Sequence, residues 1–224
     1  MTARPAPRRL PYALLATHSA LAADLLRWVL RRGPHGVGDG DVPVAYAPAQ
    51  SATMYGLFGA AVVETTALAL LIPWPLAHAL TLAVDLWGCF LVLALHASCV
   101  VRPHVVGADG SLRLRHGALL DVRLSAAAVA AVRADRRYPD GGLAVPAADG
   151  TADLAVGGTT TVRVELTGPL PYARPLGRAA EARAFRFHAE DAAAAVAALR
   201  AAAPRTGPAR DGTDDGAERI HTEP

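Results

Sequence analysis

Two carboxylates stand inside apolar stretches of this chain, in VETTALALLIPWPLAHALTLAVDLW, Val63 to Trp87. Glu64 lies ten residues before Trp74 and Asp85 eleven after it. If Pro73-Trp74-Pro75 is the turn between two antiparallel helices, both acids sit about 15 Å from that turn. That is close to the middle of a hydrocarbon layer about 30 Å thick. Gly56, Ala60 and Glu64 recur at four-residue steps, a small-residue stripe that lets helices approach closely. His78, Thr81, Asp85 and Gly88 share one face of the second helix. An ionised carboxylate at that depth is costly unless paired. Two chemistries fit the pattern: a shared-proton hydrogen bond joining helices, or a site that takes up a proton or a cation.

A second set is basic. In LRLRHG, Arg113 and Arg115 alternate with Leu112 and Leu114, so a strand would turn both guanidiniums to one face. With Arg102 upstream they form a candidate site for anionic lipid headgroups. Other pairings carry less. His96, Cys99 and His104 do not supply four convergent ligands, so no metal site is expected. Gly157-Gly158 has no following lysine or helix and reads as a hairpin turn. Asp135, Arg136 and Arg137 beside Tyr138 read as a solvated strand end. No nucleophile–base arrangement has local support, so neither an enzyme nor a cofactor is expected.

The elements that must position these residues fall into four segments. Of 224 residues, 52% are hydrophobic, too apolar for a soluble domain alone. A net charge of +2 gives no nucleic-acid footprint. Residues 1–51 hold an amphipathic helix over 10–32 and a Gly/Pro-rich linker over 33–51. In that helix Leu14, His18, Leu21, Leu25 and Trp28 share a face; Thr17, Asp24, Arg27 and Arg31 fall largely elsewhere. The pattern predicts a helix lying in the membrane interface. Residues 52–101 predict a transmembrane hairpin, with Tyr55 and Trp74 as aromatic anchors. Arginines flank the hairpin and none lies in its turn, which predicts cytoplasmic termini. Cys89 and Cys99 would stand about 15 Å apart on one helix, too far for a disulfide.

After Arg102 the texture changes to short alternating segments. HVVGADG, SLRLRHG, LLDVRLS, VAAVRADRR, ADLAVGG, TTVRVELT and EARAFRFHA predict seven strands. EDAAAAVAALRAAAP predicts a closing helix with Val196 and Leu199 inward, and residues 204–224 read as a disordered tail. Seven strands and a final helix behind a membrane hairpin resemble bacterial membrane proteins that carry a pleckstrin-homology-like (PH-like) domain. GSLRLRHG, VAAVRADRR and RAFRFHAEDAAAAVAAL look like that family's second strand, fourth strand and final strand plus helix. The resemblance implies an α+β chain: interfacial helix, hairpin, then a seven-stranded PH-like barrel or sandwich over 102–203. It further implies a membrane-anchored binding or scaffolding protein of the bacterial inner membrane. Its partners would be the bilayer, anionic headgroups, and a protein or second copy docking through the hairpin. The alternative is a small proton- or cation-responsive membrane component using Glu64 and Asp85.

Overall fold

The computed structural model describes residues 10–203. Helix α1 spans Leu10–Val29, α2 Pro48–Leu71 and α3 Pro75–Val101. Pro48 and Pro75 open their helices, where a missing N–H removes no hydrogen bond. Pro73, past the last turn of α2, stops it. α2 and α3 form an antiparallel pair, each long and apolar enough to cross a membrane.

α1 packs lengthwise on α3 and runs in the same direction. His18 stacks on Trp87 with 5.1 Å between ring centroids, and Trp28 meets His96 edge-on at 6.1 Å. Both contacts climb the two helices together. The inward face of α1 carries Leu21 and Asp24, which are buried, beside partly buried His18, Leu25 and Trp28. Of the expected stripe His18, Leu21, Leu25 and Trp28 turn inward while Leu14 is 40% exposed, and Asp24 belongs to the inward face rather than to the polar side. The outward face is apolar: Leu15 is 68% exposed and Val29 63%. α1 ends in a Schellman turn: Arg32 N–H bonds Arg27 O, Arg31 N–H bonds Trp28 O, and Arg31 is left-handed at φ 50°.

Among the described residues eight strands make two four-stranded sheets and no closed barrel. The first sheet orders β1 (Val42–Val44), β2 (His104–Val106), β3 (Leu112–His116) and β4 (Leu120–Leu124), all antiparallel. The second orders β5 (Val129–Arg137), β7 (Thr160–Ala173), β8 (Ala179–Phe187) and β6 (Thr151–Leu154), with β6 parallel to β8. Each of the seven segments read after Arg102 contributes one strand. β1 comes from the stretch expected to be only a linker. Pro43 is tolerated there because β1 is an edge strand.

The core lies between the sheets. Leu112, Leu114, Val122 and Leu124 face Leu154, Val164, Phe185 and Phe187, all buried. α4 (Ala192–Ala202) closes it with Ala195, Val196 and Leu199 inward. Asp191 caps α4 by accepting from Ala194 N–H at 2.8 Å. The tail over 204–224 and Arg4, Arg8 and Arg9 lie outside the described residues.

Candidate functional site

Glu64 and Asp85 do not meet: no hydrogen bond or ion pair joins them among the described residues. Glu64 is exposed on α2. Asp85 is partly buried on α3, and its Oδ2 is closed off from solvent with no hydrogen-bond partner. Neighbouring positions show what the α2–α3 contact uses instead. The Thr65 hydroxyl lies 4.0 Å from Cys89 Sγ and donates to Ala61 O at 2.8 Å. His78 Nδ1 stands 3.4 Å from Ile72 O beside the turn, and Thr81 is partly buried. Residue counts place the two acids at like distances from Trp74, but Glu64, read as sharing a helix-contact stripe with Gly56 and Ala60, is exposed.

The three arginines of the candidate headgroup site share one end of the molecule, and each is already held. Arg102 Nε donates to Asp24 Oδ2 at 2.6 Å, and the Ser98 hydroxyl donates to the same oxygen at 2.7 Å. Asp24 is 2% exposed. Arg113 forms a bidentate pair with Asp121, with Nε 2.7 Å from Oδ1. Arg115 is buried and donates to His35 O at 2.7 Å and Gly36 O at 3.1 Å. Burial, with the charge of Arg113 nearby, lowers the Arg115 pKa to about 10, so it remains a cation at neutral pH. Gly36, at φ 66°, runs so close that a Cβ there would lie 2.8 Å from the Arg115 guanidinium. The 33–41 loop therefore covers the face that alternation had assigned to solvent or lipid.

Sequence reasoning missed the residue at the centre of this end, Tyr46. It is 1% exposed. Its hydroxyl donates to Arg102 O at 3.1 Å and accepts from Gly117 N–H at 2.7 Å. Its ring stacks on His104, with centroids 4.4 Å apart. His104 is equally determined: Nδ1 accepts from Arg115 N–H at 3.0 Å, and Nε2 donates to His188 O at 3.2 Å. Complete burial, with His116 nearby, lowers its pKa to about 3, so the ring is neutral. Tyr46, Ala47, Cys99 and Val156 make a small apolar cluster where the helices enter the β-domain. Gly157, at φ 58° in the β6–β7 turn, abuts Ala49 in the first turn of α2; a Cβ there would lie 2.5 Å from Ala49 O. The only signal for Tyr46 was a lone aromatic between Pro43 and Pro48.

No protein-family model, curated protein or solved structure matches the chain. Among the described residues no group of three or more His, Cys, Asp or Glu side chains could hold a metal ion. The junction thus joins the β-domain to the ends of α1 and α3 through polar contacts centred on Tyr46, His104 and the Asp24–Arg102 pair, while Arg115 Nε, His116 Nδ1 and His96 Nδ1 have no hydrogen-bond partner.

Proposed function

We propose that the chain is a membrane-anchored scaffolding or binding protein that holds its β-domain, a PH-like module, against the cytoplasmic face of the cell membrane. One observation carries the membrane reading: the helices are inside-out. α1 turns Asp24 and His18 inward and Leu15, Leu26, Val29 and Leu30 outward. α2 buries no residue, while Val63, Leu70 and Leu71 are 70–83% exposed. α3 exposes Leu76, Leu80 and Val84 and buries residues only from Ala94 onward, toward the β-domain. A continuous apolar surface of this kind is stable in lipid and would aggregate in water. The PH-like reading rests on strand order after Arg102 and on the closing α4.

Orientation rests on charge. Arg27, Arg31, Arg32 and Arg102 gather at the β-domain end of the helices, and the 73–75 turn has none, which supports a domain on the inside. Because α1 runs with α3, its N-terminal end points toward Trp74, so α1 becomes a third membrane-embedded helix rather than an interfacial one. The test uses a Cys89→Ala/Cys99→Ala background. Trp74→Cys should label from outside intact cells and Gly141→Cys should not. External labelling of Gly141→Cys overturns the orientation, and release of the chain by alkaline washing overturns the membrane reading.

A further inference from the structure

Two clefts meet at Trp28 on the membrane side of the junction. One, of about 280 Å³, lies between α1, α2 and α3 and is lined by Trp28, Tyr55, His96 and Val100. The other, of about 420 Å³, is lined by Trp28, Val100, Arg31 and Arg32. They also share Ala45 and Pro103, so one groove runs from an aromatic slot to a cationic rim. Neither Arg31 nor Arg32 has a side-chain partner among the described residues, and both are exposed. Arg31 keeps its guanidinium at this rim in a left-handed conformation that glycine would adopt without strain. Inside the slot His96 is 2% exposed, held edge-on by Trp28 and by Tyr55 at 4.9 Å. Its Nδ1 has no hydrogen-bond partner.

We infer that this groove binds one anionic phospholipid, its phosphate on Arg31 and Arg32 and its acyl chain against Trp28, Tyr55 and Val100. The chemistry is tiered as the lipid is. Two unpaired cations face the charged headgroup. His96, held edge-on between Trp28 and Tyr55, forms the polar floor of the slot. The aromatic and aliphatic walls take the hydrocarbon, at the level where Trp and Tyr prefer to sit. This inference rests on the membrane reading above. The site is separate from Arg113 and Arg115, which are held by Asp121 and by backbone carbonyls.

The test uses the full chain with Trp74→Phe and Trp87→Phe, leaving Trp28 as the only indole. It is reconstituted into phosphatidylcholine bilayers containing phosphatidylglycerol, with one or the other lipid brominated on its acyl chains. Brominated phosphatidylglycerol should quench Trp28 beyond its mole fraction. Each arginine should contribute roughly 5-fold to that preference, and added salt should reduce it. Arg31→Gly removes a cation while relieving the left-handed backbone, so its loss of preference cannot be ascribed to a damaged fold. Arg32→Gln should remove the remainder. Val100→Phe, which narrows the slot, should weaken quenching by both lipids. Equal quenching by the two lipids, unchanged by the arginine substitutions, overturns the inference and leaves the membrane reading standing. Absence of quenching by either lipid overturns both.

Discussion

Replacing Asp24 by Ala tests whether α1 is a structural part of the helical bundle. Asp24 Oδ2 receives two hydrogen bonds, from Arg102 Nε at 2.6 Å and from Ser98 Oγ at 2.7 Å. The substitution leaves a partly buried guanidinium without its counter-charge and a buried hydroxyl without its acceptor. Removing one partner of a buried ion pair typically costs about 3–5 kcal/mol. The Arg102 side chain is 19% exposed and can recruit some water. Ser98 can turn back to the carbonyl four residues earlier. Both relaxations favour the lower end, about 3 kcal/mol. Asp24→Asn keeps an acceptor but loses the charge and should cost roughly half as much. The double variant Asp24→Ala/Arg102→Met removes both charges together and should recover most of the loss, because paired apolar replacements are often close to neutral.

The assay is reversible unfolding of the purified chain by SDS titration from mixed micelles, followed by helical circular dichroism. A double-mutant cycle over Asp24 and Arg102 should give a coupling of about 2 kcal/mol or more. Additive effects, with coupling below about 0.5 kcal/mol, would refute the reasoning. They would mean that the pair does not hold α1 on α3.

Four further outcomes are expected. Tyr46→Phe removes a hydroxyl that satisfies Gly117 N–H and Arg102 O, and should destabilise the β-domain by about 1–3 kcal/mol in chemical denaturation. His104 has a folded pKa of about 3 against an ordinary 6.5, so only the unfolded chain takes up its proton between those values. Stability should therefore fall as pH drops below 6.5, by about 2 kcal/mol at pH 5 from this group alone; a flat profile from pH 7 to 5 would contradict the buried neutral ring. Gly157→Ala meets both a left-handed backbone and Ala49 O, and should lower the thermal midpoint more than Gly158→Ala, whose Cβ would enter open space. An epitope fused ahead of Met1 should be reached by antibody from the same side of the membrane as a label at Trp74, since α1 and α3 run in the same direction.

The strands after Arg102 were legible because each advertises one buried face. Leu112 and Leu114 in β3, and Leu120, Val122 and Leu124 in β4, alternate with polar residues and are all buried. β1 was not legible. It has three residues, one of them proline, and only Val44 is buried. It becomes a strand because β2 presents a free edge to it, and that is a tertiary fact. Separation into two sheets with β6 parallel to β8 was equally hidden, since alternation shows which residues face inward but not which strand lies beside which. The β7–β8 pairing is long and broken in register between Glu165 and Leu170, a detail no local pattern carries.

Asp24 shows a different failure. Its spacing from Leu21 and Trp28 puts it on the packed stripe, and the acid was assigned to the opposite side on charge alone. In water that inference is sound, because a carboxylate seeks solvent. In a helix whose outward face meets lipid, the preference reverses: the polar group turns inward and needs a partner there. That partner, Arg102, lies 78 residues away and was visible only as one of three cations on a candidate lipid site. Glu64 does not follow that reversal. Asp24 is turned inward and satisfied, Asp85 is partly shielded, and Glu64 alone faces outward among apolar neighbours on the Gly56–Ala60 stripe. Among the described residues Asp24 is thus matched within the chain, whereas Glu64 and Asp85 Oδ2 meet no hydrogen-bond or ion-pair partner there.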